Sequence, residues 1–301
     1  FSLGLGGKFS DLDFDLSAGA GSLELPGTYK RRLTLAGAAL RGRLTDNFTA
    51  LRLDEIFLDT GGPVVNASAL VSFDKGSDPA ALGLILDGQF SDLPVDQLDR
   101  FWPPQLAPAA RHWVTTNVRG GKVPAATIKV HLKPGDLAAG SLPDEAVDLR
   151  FSFAGVGARY LRTMPELAQA TGSARLTAGG IDLVVRSARV GALALSEGTV
   201  HITGFDQPLQ RAEIGFVASG PVAEALRVLD HPPLGFGAAV DLDAKAASGQ
   251  MSARAHFAFP LKGDLGVADV SFAAAANLVE FGLPEVVGGF PLRAGQMTLK
   301  V

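Results

Sequence analysis

"VDLRFSF", residues 147–153, is the stretch on which the fold turns. Val147, Leu149, Phe151 and Phe153 alternate with Asp148, Arg150 and Ser152. A period of two places the apolar set on one side of a strand and the polar set on the other. The same alternation recurs to both sides of it. "LDFDL" (12–16) sets Leu12, Phe14 and Leu16 against Asp13 and Asp15. "IKVHLK" (128–133) sets Ile128, Val130 and Leu132 against Lys129, His131 and Lys133. Further pairs are Ile181, Leu183 and Val185; Val200 and Ile202; Ile214 and Phe216; Val240 and Leu242; Phe257 and Phe259; Val270 and Phe272. One dry face and one wet face predict antiparallel strands exposed on one side. "TGGP" (60–63), "KPGD" (133–136) and "AGG" (178–180) supply the turns.

Helix is scarce by the same reading. "FWPPQLAPAARHWVTTNVRGGKV" (101–123) holds both tryptophans, Trp102 and Trp113. One helix is expected over 94–102, stopped by Pro103-Pro104. A second runs from Pro108 to Val118 with Ala110, Trp113 and Val114 as its buried face. A third, "PVAEALRVLDHPP" (221–233), has Pro221 at its first position, Glu224 in its first turn and Val222, Ala225, Leu226 and Leu229 as its apolar stripe.

About fifteen strands would make a sheet roughly 70 Å across, and three short helices cannot cover its dry face. Two solutions remain. The sheet folds onto itself as sandwiches or barrels, or it forms a trough whose floor holds an apolar ligand. Small residues in "FAAAANL" (272–278) and "GAAVDLDA" (237–244) lean to the trough, because they leave room and permit bending; a compositional bias toward Ala and Gly explains them equally well. A weak repeat joins 9–37, 149–180 and 270–301, each a strand, a bend, a Pro (Pro26, Pro165, Pro284) and a second strand.

Composition narrows the function. The chain has 301 residues, 47% of them hydrophobic, which is the balance of an ordered protein. Its net charge of −4 lacks the footprint of a nucleic-acid binder. There is no cysteine, hence neither disulfide nor thiolate metal site. No apolar run reaches the roughly 18 residues of a membrane span. The chain starts at Phe1, and the last repeat runs to its end, so a piece of a longer protein is expected.

Three segments carry a family resemblance. They are "FWPPQLAPAARHWVTTNVRGGKV" (101–123), "GVGARYLRTMPELAQATGSARLTAGGIDL" (155–183) and "ALRVLDHPPLGF" (225–236). Together they resemble AsmA-like envelope proteins of the YhdP-type branch, over about 85–301. The resemblance implies a mainly β fold: an elongated, strongly curled antiparallel sheet of repeating β-groove type with a few short crossover helices. It implies a bacterial, periplasm-spanning lipid-transfer protein that passes phospholipid between inner and outer membranes. It also implies an inner-membrane anchor outside these residues. The expected organisation is a β-groove module over 1–93, a helical crossover over 94–122, a second module over 123–220, a short helix over 221–234 and a further module from 235 to 301. Phospholipid acyl chains are the expected partner, with no cofactor. Leu12, Phe14, Val130, Phe151, Phe153, Val185, Ile202, Phe216 and Phe257 are the expected lining of the groove. Trp102 and Trp113 are expected either as a plug on the sheet or as a lid over the ligand. A structural β-rich envelope scaffold that carries nothing is the alternative.

Catalytic chemistry finds little support. "DLDFD" (11–15) opens like a calcium loop but has Leu16 and Ser22 where Gly and Glu are needed. None of His112, His131, His201, His231 and His256 forms an i, i+4 pair, and His131, His201 and His256 fall on the polar phase of their strands. No nucleophile elbow, phosphate loop or dinucleotide fingerprint is present. "YKRR" (29–32) reads either as a contact for anionic headgroups or as a solvated turn. An enzyme is not expected.

Overall fold

The computed structural model describes residues 2–3, 9–24, 32–45, 49–73, 81–104, 106–139, 141–161, 163–231, 246–286 and 290–300. Pro26, most of "YKRR", the prolines at 232–233 and the strand expected at 237–244 lie outside them. The protein is mainly β. Its strands are β1 (Ser2–Leu3), β2 (Phe9–Ala18), β3 (Gly21–Leu23), β4 (Leu33–Leu35), β5 (Gly37–Thr45), β6 (Ala50–Asp59), β7 (Val64–Ser72) and β8 (Gly83–Pro94). They continue as β9 (Val118–Arg119), β10 (Lys122–Leu132), β11 (Val147–Ala158), β12 (Leu167–Thr177), β13 (Gly180–Val190) and β14 (Leu193–Thr203). The last four are β15 (Arg211–Pro221), β16 (Ser248–Pro260), β17 (Ser271–Val286) and β18 (Phe290–Lys300).

Apart from the β3–β4 hairpin, the strands lie side by side in chain order, with the short β9 pairing β11. Neighbours are antiparallel, as alternation with one wet face requires. Two compact units divide the chain. Unit 1 comprises Phe1–Thr116, Lys122–Phe153 and Arg175–Gly179; unit 2 comprises Asn117–Gly121, Ala154–Ala174 and Gly180–Val301.

The helices fall close to where the sequence puts them, with informative differences. Pro94 ends β8, and the expected first helix is a 3-10 turn (Val95–Gln97) leading into α1 (Leu98–Phe101). α2 spans Pro108–Asn117, but Ala110 and Trp113 are exposed and no residue of the helix is buried. Its expected apolar face is therefore not a packing face. α3 spans Val222–Asp230; Pro221 precedes it in extended conformation as the cap rather than as the first helical residue. Pro284 lies within β17, so the third repeat runs straight on where the second, at Pro165, turns. Val270 falls just before β17.

Simple alternation does not hold along whole strands. In β14 the inward residues are Leu193 and Leu195, then Gly198, Val200 and Ile202; in β17 they run from Phe272 to Leu278 and resume at Phe281 and Leu283. The phase slips at Glu197 (φ 50°) and Glu280 (φ 51°), and the register of β14 on β15 shifts at the same place. Asp92 (φ 52°) in β8 and Gln169 (φ 55°) in β12 mark equivalent slips. A left-handed residue inserted in a strand lets both halves keep their apolar side chains inward, and it raises the local twist. Each costs of order 1 kcal/mol in backbone strain.

At Gly249 (φ 101°) the chain takes the same kind of turn, and a Cβ would stand 2.7 Å from the Val279 carbonyl oxygen and 2.8 Å from that of Glu280. Gly249→Ala is expected to lower unfolding free energy by about 2 kcal/mol in urea titrations. Gln169→Gly, which relieves strain, should stay within about 0.5 kcal/mol of the parent or exceed it.

Candidate functional site: an uncovered apolar face

The inward residues form an apolar face on each unit. In unit 1, Leu12 and Phe14 on β2 pair with Leu44 and Gly42 on β5, and Val130 on β10 pairs with Leu86 on β8. Phe151 and Phe153 on β11 follow, their rings 6.4 Å apart. In unit 2, Val185 on β13 pairs with Gly198 on β14, Ile202 pairs with Ile181 and Ala212, and Phe216 pairs with Ala255. Phe257 lies in an aromatic row across three strands, 6.0 Å from Phe216 and 4.8 Å from Phe272.

Among the described residues much of this face is incompletely covered. Leu12, Phe14, Val130, Phe151, Val185, Ile202, Phe216 and Phe257 are all only half-buried. Phe153 differs: at 7% exposure the protein's own atoms close over it. No large side chain among the described residues is fully buried. Apolar side chains that a packed sandwich would enclose are here left partly in water.

Inward glycines add less room than their size suggests. A Cβ on Gly42 would meet Phe14 at 3.0 Å, one on Gly88 would meet Ile128 at 3.1 Å, and one on Gly198 would meet Val185 at 2.8 Å. A neighbouring large side chain crowds each gap, and at Gly42 the Arg52 carbonyl oxygen stands closer still, at 2.3 Å.

One end of the face in unit 2 is covered. α3 packs on β15 and β16, and around it Leu193, Ala218, Val222, Met251, Leu278, Phe281 and Leu283 are buried. Glu224 holds the helix there. Only 8% exposed, its carboxylate accepts the Ala192 N–H (3.2 Å) in the β13–β14 turn and pairs with Arg227. The sequence marks Glu224 as an N-terminal helix acid and carries no sign of its burial; the turn it caps is some thirty residues away.

Trp102 lies in the link between α1 and α2, and Trp113 lies on α2. The Trp102 indole N–H donates to the Leu106 carbonyl (2.7 Å), and Arg111 donates to the carbonyls of Trp102 (2.8 Å) and Asp99 (2.9 Å), which ties α2 to α1. Trp113 is 47% exposed. The half-exposed ring implies a cost of about 1 kcal/mol on truncation.

The opposite face is wet and charge-paired. Asp13 pairs with Arg43, Lys129 with Asp87 (3.8 Å), Lys122 with Asp92 (2.9 Å) and Arg254 with Glu197 (2.7 Å), all across strands. The strand carboxylates of "DLDFD" thus have an ordinary role. His131, His201 and His256 are exposed, as their phase predicts, and His201 lies 2.7 Å from Asp182 on the next strand. Among the described residues no group of three or more His, Cys, Asp or Glu side chains could hold a metal ion. No helix among them is long and apolar enough to cross a membrane. No family model, curated protein or solved structure matches the chain.

Hydrogen bonds from Arg150 and Arg175 hold the Asp148 carboxyl down to about 2. A depressed carboxylate contributes stability that is complete above its unfolded value, near 4, and lost as pH falls toward 2. Asp148→Asn should therefore flatten the stability profile between about pH 4 and pH 2, measured by urea titration at each pH. Glu224→Ala, which leaves a turn N–H and Arg227 without their acceptor, should cost about 1–3 kcal/mol at neutral pH.

Proposed function

We propose that this chain is a segment of a periplasm-spanning lipid-transfer protein of the bacterial envelope, in which the apolar face shields phospholipid acyl chains on their way between inner and outer membranes. The observation that carries the reading is the incompletely covered face: rows of Leu, Val, Ile and Phe held half-buried on the sheet. Hydrocarbon tails are a natural complement for such a surface, since it offers contact along its length and demands no directional bond. The sheet is proposed to curl about this face into a groove. Twist-raising insertions at Asp92, Gln169, Glu197 and Glu280 favour that bend. Attachment to the inner membrane belongs to segments outside these residues.

The energetics suit passive conduction. An acyl chain that leaves a bilayer for water exposes about 0.8 kcal/mol per CH₂. A floor that replaces water removes a barrier of order 10 kcal/mol for a chain of about 16 carbons. The headgroup stays in water at the open side, so no nucleophile, metal or cofactor is required.

Purified without detergent and examined by native mass spectrometry and lipid extraction, the protein should carry phospholipid. A lipid-free protein would support a structural scaffold instead. Phe151→Asp, a charge on the half-buried wall, should leave the circular dichroism spectrum intact and reduce bound lipid at least tenfold. Aggregation of that variant would make Phe151 ordinary core, and undiminished lipid would remove it from the floor.

A further inference from the structure

We infer that the apolar face of unit 2 is a one-ended slot: acyl chains enter at the strand ends away from α3, and α3 forms the blind end. The inference rests on the lipid-binding reading and adds its direction. Antiparallel order sends successive connections to opposite ends of the strands. One end of unit 2 holds the β13–β14 turn and α3; the other holds the β14–β15 loop (204–210) and the β16–β17 loop (261–270).

Burial divides along the same line. At the α3 end Val190, Leu193, Ala218, Met251, Leu278, Phe281 and Leu283 are buried. At the loop end Ile181, Leu183, Val200, Ile202, Ile214, Phe257, Phe259 and Phe272 are only half-buried. The exceptions are the small residues Ala174, Ala212 and Ala255, of which Ala212 lies in register with Ile202 and Phe259. Unit 1, taken by itself, shows the asymmetry in its larger side chains only, since Ala69 and Ala146 toward the end away from α1 and α2 are buried. Leu93, Val95 and Val123 are buried beside the connection that carries α1 and α2, while Leu84, Leu86, Val130 and Leu132 toward the other end are half-buried.

Dimensions and lip agree with an acyl chain as the occupant. From Ala255, just past the residues that α3 covers, to Phe259 at the open end is about 13 Å of strand, close to the roughly 15 Å of hydrocarbon in one leaflet. The aromatic row Phe216–Phe257–Phe272 crosses this interval. Beyond it the lip is apolar too: Phe205, Leu209 and Leu261 are exposed on the two loops, which the Leu261 N–H joins by donating to the Gln210 carbonyl (2.8 Å). Exposed apolar residues continuous with a half-buried apolar face are the expected form of a threshold that tails cross. At the other end Glu224, anchored on the β13–β14 turn, keeps α3 seated.

The absence of native cysteine makes the test direct. Thr203→Cys at the loop end and Ala192→Cys at the α3 end, each labelled with a fluorophore, would be loaded with phosphatidylcholine bearing a nitroxide on the headgroup or at the end of an acyl chain. Headgroup nitroxide should quench the residue 203 probe at least threefold more than the residue 192 probe, and chain-end nitroxide should reverse the order. Equal quenching at both sites, or headgroup quenching greater at 192, overturns the one-ended slot while leaving lipid binding intact. Absence of quenching at either site with either lipid, together with no retained lipid, overturns the lipid-binding reading itself. As a second arm, Leu209→Asp should slow lipid uptake from vesicles at least threefold without loss of folding, and an unchanged rate would also count against the threshold.

Discussion

The rest of the structure depends on a mismatch between two demands of the β-ladder. Each strand satisfies its backbone N–H and C=O groups on the next, so the sheet grows sideways without needing a second layer. Its side chains, however, alternate between water and a dry face, and that face has few partners. Elsewhere in protein architecture a second sheet or a layer of helices resolves the mismatch. Among the described residues three α-helices contribute 4, 10 and 9 residues, and of these α3 covers a cluster of buried apolar residues. Much of the apolar face is therefore left half-buried among the described residues.

The slipped residues show how the ladder accommodates the face. A strand of ten or more residues twists, and strict alternation would carry one end of its apolar set away from its neighbours. Inserting Asp92, Gln169, Glu197 or Glu280 in left-handed conformation resets the phase. Polar side chains suit these positions: at the wet surface Asp92 meets Lys122 on the adjacent strand β10, and Glu197 meets Arg254 on β16, two strands away. Such exposed pairs contribute at most about 1 kcal/mol each, so their weight lies in register and solubility.

The two helical insertions serve different ends. α3 is a packing element, amphipathic and pinned by one buried carboxylate. α1 and α2 are held to each other through Trp102 and Arg111, and α2 keeps both faces largely in solvent. That contrast follows from sequence only in part. α3 has a stripe of Val222, Ala225, Leu226 and Leu229 that spans two turns, whereas in α2 Ala110, Trp113 and Val114 share a face but cover little more than one turn of it.

Alternation such as that of 147–153 was by itself enough to determine the mainly β class, the antiparallel pairing and which side chains share a face, because a period of two has one geometric meaning. Proline and glycine positions determined the three helical segments to within a few residues for the same local reason. Tertiary structure alone decided where the phase slips, since a left-handed Glu or Gln in mid-strand has no compositional signature. It alone decided that Phe153 closes over while Phe151 two residues away does not, that Glu224 is buried, and that Trp113 is not. Each of these depends on what lies across the sheet or under a helix, and no interval along the chain encodes that distance.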